Sequence, residues 1–144
     1  YNNYWVLIFS YPENSYTSDY RQEVLDLVNA ERAKYGLQPL VMGDANLTAA
    51  AQKRAEEIAT VNSHVRPDGS KWYTVLKEYN VTDAAAGENA AWGSVSPEEV
   101  VNAWMNSAGH RANILDPEAR AMGVGYYYNN SSSWGHQWIQ LFTK

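Results

Sequence analysis

The chain has 144 residues, the length of one domain with room for a full apolar core. Hydrophobic residues make up 45% and charged residues 19%, which excludes wholesale disorder. The net charge of −5, with no Lys/Arg block, speaks against nucleic acid and anionic membrane surfaces as partners. The absence of cysteine removes disulfide frameworks, thiol catalysis and cysteine-bound zinc.

Residues 1–18 surround the short run Trp5-Val6-Leu7-Ile8-Phe9 with Tyr, Asn and Ser. They read as an extended arm or linker, with the domain expected over 19–144. The run is too short to span a bilayer and lacks the basic start of a signal peptide. The start at Tyr1 rather than Met is expected to mark a processed or trimmed piece.

A first helix is predicted from about Asp19 to Tyr35, with Val24, Leu27, Val28 and Tyr35 on one apolar face and Gly36 as its stop. A second is predicted from about Asn46 to Val61, with Asp44 near the cap. Leu47, Ala50, Ala51, Ala55, Ile58 and Ala59 give it a smooth face that lets another layer approach closely. Arg66-Pro67-Asp68-Gly69 is a turn, followed by a short helix from about Lys71 to Glu78 capped by Ser70. Ala86 to Gly93 fits a loop or short strand. Ser96-Pro97-Glu98-Glu99 then starts a helix with a cap, a proline at the first position and a capping box. That helix is expected to end near Ser107–Gly109, with His110 just beyond. Ala121 to Tyr128 and Trp134 to Phe142 form a hairpin around a serine-rich loop. Helices followed by an antiparallel hairpin predict an α+β layered domain.

Chemistry concentrates at loop ends. His64 and His110 each follow a predicted helix end, and Glu88 lies in Gly87-Glu88-Asn89. Two imidazoles and a carboxylate suit a divalent-metal site or an acid/base pair. Their separations, 24 and 22 residues, form no local metal motif, and a hydrogen-bonded network tying loops together is the competing reading. Asn89 is expected to fix Glu88 or the loop backbone. Ser107 reads as a helix-end cap, with no nucleophile-elbow pattern around it. Arg66 and Arg111 flank the histidines and suit either an anionic ligand or surface ion pairs. His136 shares an alternation with Trp134 and Trp138, as a cleft wall or a sheet-surface residue.

From Tyr20 to Phe142 the chain resembles the CAP superfamily (cysteine-rich secretory, antigen-five and pathogenesis-related proteins), or SCP domain, in its cysteine-free bacterial form. The matching stretches are Leu27-Val28-Asn29-Ala30-Glu31-Arg32, His64 to Gly69, Gly87-Glu88-Asn89, Trp104 to Leu115, Gly123-Val124-Gly125 and Trp138-Ile139-Gln140. The resemblance implies a three-layer α-β-α sandwich with a central antiparallel sheet and an open cleft. It places metal-binding histidines at His64 and His110, and a cleft glutamate at Glu88. The family's second glutamate falls at Ser107 or Asn106, so the tetrad is incomplete.

The reading is therefore an exported, extracellular or cell-surface binding module. Its cleft, supported by Asn89, Ser107, Arg66 and Arg111, takes a divalent metal (zinc first) or a small ligand from cell-wall, lipid or host components. The alternatives are a metal-assisted, peptidase-like hydrolase with Glu88 as catalytic base, and a lipid or sterol carrier. The same scaffold can host any of these.

Overall fold

The computed structural model describes residues 18–131 and 134–144; the expected N-terminal arm lies outside them. The elements run α1 (Ser18–Lys34), β1 (Val41–Met42), α2 (Ala45–Glu57), α3 (Thr74–Glu78), β2 (Ala85–Trp92), α4 (Pro97–Met105), α5 (Ala108–Ile114), β3 (Ala121–Asn129) and β4 (Gly135–Thr143). One sheet has the order β1-β3-β4-β2. Its three long strands are antiparallel, as expected, but the two-residue β1 pairs in parallel with β3.

The strands alternate between two cores. On one face Met122, Val124, Tyr126, Trp138 and Phe142 pack beneath α1, α4 and α5 with Val24, Val28, Val101 and Trp104. On the other, Ala90, Ile139 and Leu141 pack beneath α2 and α3 with Leu47, Ala51, Ala55 and Ile58. The result is the α-β-α sandwich. The small-residue stripe of α2 brings the helix close: a Cβ on Gly125 would lie 2.2 Å from the Ala51 carbonyl oxygen, and one on Gly123 would lie 2.8 Å from that of Leu47. Only glycine lets that helix backbone settle on β3.

Local expectations meet three corrections. Tyr35 is 61% exposed, and the buried stripe of α1 ends at Arg32 instead. The arginine stays buried because its guanidinium donates to the carbonyls of Gln38, Ile114 and Asp116. The third helix begins at Thr74, and Ser70 caps nothing; its hydroxyl donates to Asp68. After α4 the chain does not leave helix for good. Ser107 adopts extended backbone, then α5 begins, so His110 sits inside a helix rather than beyond one. At the start of α4, Ser96 accepts from the Glu99 N–H as predicted, while the Glu99 carboxylate reaches Val95 N–H.

β2 is an edge strand whose outward carbonyls are covered. Trp104 Nε1–H donates to Ala90 O at 3.1 Å, and Asn113 Nδ2–H donates to Glu88 O at 3.3 Å. Side chains thus occupy the acceptors that a second strand would use.

Candidate functional site

Residues 88 and 89 point to opposite faces of β2. Glu88 turns toward α2, where its fully buried carboxylate is gripped twice by Arg54, with Nε to Oε2 at 2.7 Å and Nη2 to Oε1 at 3.0 Å. His64 Nδ1–H donates to the same Oε1 at 2.7 Å. Arg54 continues to Glu57 at 2.8 Å, Glu57 to Arg66 at 2.7 Å, and Arg66 to Glu78 at 2.8 Å. Two arginines face three glutamates along this chain of ion pairs, so a protonated His64 would bring it to neutrality.

The electrostatics follow the contacts. The hydrogen bond to Glu88 raises the proton affinity of His64 above the ordinary imidazole value, against a smaller opposing effect of burial. Burial pushes Glu57 upward, but hydrogen bonds from Arg66 and Arg54 outweigh it and hold the carboxyl below its usual range. Arg66 is likewise held charged by Glu57 and Glu78.

Asn89 turns toward α5 and is fully buried. Its amide donates to His110 O and Gln140 Oε1, both at 3.1 Å, and accepts from Asn113 at 2.9 Å. Gly87 makes room for that last partner, since a Cβ there would lie 2.7 Å from Asn113 Oδ1. His110 Nδ1 pairs with Ser107 Oγ at 2.9 Å. Ser107 occupies the cap position of α5 but makes no capping bond; its hydroxyl serves the imidazole instead. Burial, and then the charge of nearby His64, lower the proton affinity of His110.

The expected three-group centre is therefore divided. Glu88 holds His64, Ser107 holds His110, and the two imidazoles approach β2 from different layers. Among the described residues no three His, Asp or Glu side chains gather as a metal-holding group. Arg66 is no cleft residue: it is buried in the ion-pair chain, neither a surface pair nor an anion receptor. Arg111 is exposed and donates to Met105 O. His136 is half-buried between Tyr126 and Tyr128, with Nδ1 at 2.7 Å from the Tyr126 hydroxyl.

Sequence reasoning missed Arg54 and Glu57. Arg54 falls on the stripe of Leu47, Ala50, Ala51, Ala55 and Ile58 read as buried, and a cation on such a stripe demands a buried anion. The groove between α1 and α4, about 510 Å³, bears on the carrier reading. Leu27, Val101 and Met105 give it an apolar floor, but Glu31, Glu98 and Glu99 rim it and would repel a fatty carboxylate.

The comparisons agree with this architecture. The family model for the cysteine-rich secretory protein (CAP) family matches residues 25–142. The Bacillus subtilis protein YkwD is 41% identical over 127 residues, 87% of this chain and 49% of YkwD. The B. subtilis membrane protein YlbC is 34% identical over 115 residues, 76% of this chain and 33% of YlbC. The chain thus spans half or less of the curated relatives it matches. Among solved structures, an extracellular SCP-domain protein from Bacillus anthracis superposes with a TM-score of 0.77 at 26% identity, over 88% of this chain and 41% of that one. An outer surface protein of Borrelia burgdorferi shares the fold, with a TM-score of 0.73 at 20% identity over 85% of this chain and 90% of that one. No described helix is long and apolar enough to cross a membrane. The sheet between two helical layers, the glycine-mediated seat of α2 and the family match over residues 25–142 together make the chain a member of the CAP family.

Proposed function

We propose that the chain is an exported binding module whose ligand position is the imidazole pair His64 and His110 beside β2, and that it takes a divalent cation there, zinc first. The observation that carries this reading is the anchoring of both rings through Nδ1, to Glu88 at 2.7 Å and Ser107 at 2.9 Å, with no hydrogen bond to Nε2 of either ring among the described residues. A carboxylate behind an imidazole fixes the tautomer that presents a lone pair at Nε2.

The donor set fits a cation at two positions only. Solvent or a ligand from the partner would complete a four-coordinate zinc shell, so affinity is modest. The raised proton affinity of His64 makes protons compete with the metal, and binding strengthens with rising pH. Glu88 acts as a positioning residue rather than a general base, because both its oxygens are engaged and its side chain has no exposure. This favours binding over hydrolysis. The extracellular B. anthracis neighbour supports action outside the cell; the partner proposed here is a wall, lipid or host component.

Calorimetric titration of zinc at pH 7.5 into wild type, His64→Ala and His110→Ala tests the reading. One equivalent should bind to wild type, with binding weakened by both substitutions. Undiminished binding in both variants, or no binding to wild type, would overturn it. Zinc-dependent peptide cleavage lost in both His64→Ala and Glu88→Gln would make the site hydrolytic instead.

A further inference from the structure

A second hollow, about 270 Å³, lies where the loop after α2 meets the end of β2 and the start of β4. Trp92, Trp134 and Ala59 supply apolar walls, while Thr60, Asn62 and Gln137 supply polar ones. Among the described residues no side chain of the lining is charged, which favours a neutral occupant.

The two indoles differ. Trp92 donates its Nε1–H to Ile58 O at 2.9 Å, so it is a fixed wall. Trp134 is 56% exposed and seated against Gly93, where a Cβ would meet its ring edge at 3.4 Å. It is a large apolar plate turned to water, at a position where folding gains little from it. Beside it the Thr60 hydroxyl donates to Glu57 O at 3.2 Å, which leaves its oxygen able to accept. The exposed Asn62 amide has no protein partner among the described residues and offers both donors and an acceptor.

An apolar plate beside an uncharged donor–acceptor set matches one class of ligand. We propose that this hollow binds a neutral pyranose residue of an oligosaccharide, with the C–H face of the ring stacked on Trp134 and its hydroxyls exchanging hydrogen bonds with Thr60 and Asn62. The volume lies near the low end of ligand pockets, roughly 300 Å³ and upward, so it suits a single ring. An aromatic peptide side chain would fill the same space but leave Thr60 and Asn62 unanswered, at the cost of unpaired polar groups. The site is separate from the imidazole pair and does not depend on it.

Saturation-transfer NMR with chitotriose, cellotriose and maltotriose tests the proposal, with N-acetyltyrosinamide as the peptide-like comparison. At least one trisaccharide should receive transfer, with a weak affinity of about 1 mM, as expected for a small shallow contact. Trp134→Ala should lower that affinity by about tenfold, Asn62→Ala by a smaller factor, and Trp134→Phe should retain most of it. Both residues are exposed, so the variants keep the fold, which the unchanged amide spectrum away from the hollow would verify. His64→Ala should leave sugar binding as it is. Absence of transfer to all three sugars, transfer indifferent to Trp134→Ala, or transfer to the tyrosine derivative alone would overturn the proposal.

Discussion

Replacing Arg54 with Met tests the ion-pair chain at its centre. Arg54 is fully buried and makes two bonds to Glu88, one to Glu57 and one to the Ser63 carbonyl. Methionine fills much of the space but leaves the Glu88 carboxylate, also fully buried, with only the half-exposed His64 as counter-charge. Glu57 keeps Arg66 and suffers less. Breaking one partner of a buried pair costs about 3–5 kcal/mol, so we expect a loss of about 4 kcal/mol at pH 7. With a urea slope of about 2 kcal/mol per molar, the unfolding midpoint should fall by about 2 M. Adding Glu88→Met to Arg54→Met should recover part of the loss, since an apolar pair leaves no buried charge. A loss below about 1 kcal/mol, the range of exposed pairs, would refute the claim that this chain behaves as a buried network.

Further outcomes follow from particular contacts. Titration of the imidazole C–H resonances should find His64 protonated to higher pH than His110 and His136, which burial holds below the ordinary value; the reverse order would contradict the Glu88 contact. Because the folded-state value of His64 is raised, its share of stability is full below the unfolded value of about 6.5 and fades as pH rises through the folded one. Urea unfolding should therefore show His64→Asn closer to wild type at pH 8.5 than at pH 6. Gly125→Ala should destabilise by about 2 kcal/mol or more, because its Cβ would collide with the Ala51 carbonyl oxygen at 2.2 Å. Gly109→Ala, with open space around it, should stay within about 0.5 kcal/mol in the same thermal or urea unfolding. Asn89→Ala should cost about 2 kcal/mol by leaving its buried partners unpaired, with little change between pH 5 and 8, as read by unfolding at each pH.

The elements that could be read from sequence were those whose local signals and packing agree. Ser96-Pro97 starts α4 where a cap and a fixed φ coincide, and the apolar alternation of residues 121–128 and 134–142 yields the hairpin. α5 was missed because Ala108–Ile114 has a single buried residue, Ile114, and so carries no apolar period. Tyr35 and Arg32 changed roles because apolarity predicts burial only until a tertiary partner intervenes. Carbonyls from residues 38, 114 and 116 make a buried site for the guanidinium, and no local pattern reveals them. His64, Glu88 and His110 could be picked out as residues from the family resemblance, although of the three only His64 lies in a loop, Glu88 being in β2 and His110 in α5. Their division into two separately anchored rings could not, because it depends on which side chain the fold brings to each ring, Glu88 to His64 and Ser107 to His110.

That division follows from the pleat of β2. Adjacent residues of a strand must face opposite layers, so Glu88 and Asn89 necessarily serve different halves of the molecule. Glu88 receives His64 at the end of an ionic chain that reaches Glu78 in α3, whereas Asn89 receives the His110 carbonyl through neutral amide bonds shared with α5 and β4. Protonation can therefore alter the hold on His64 while leaving the backbone seat of His110 almost unchanged. A ligand that bridges the two rings would connect a ring held by a charged carboxylate to one held by a neutral hydroxyl. Its release on acidification must begin at one ring or the other. The contacts select His64, because Glu88 stabilises its imidazolium directly while the hydroxyl of Ser107 stands at Nδ1 of His110.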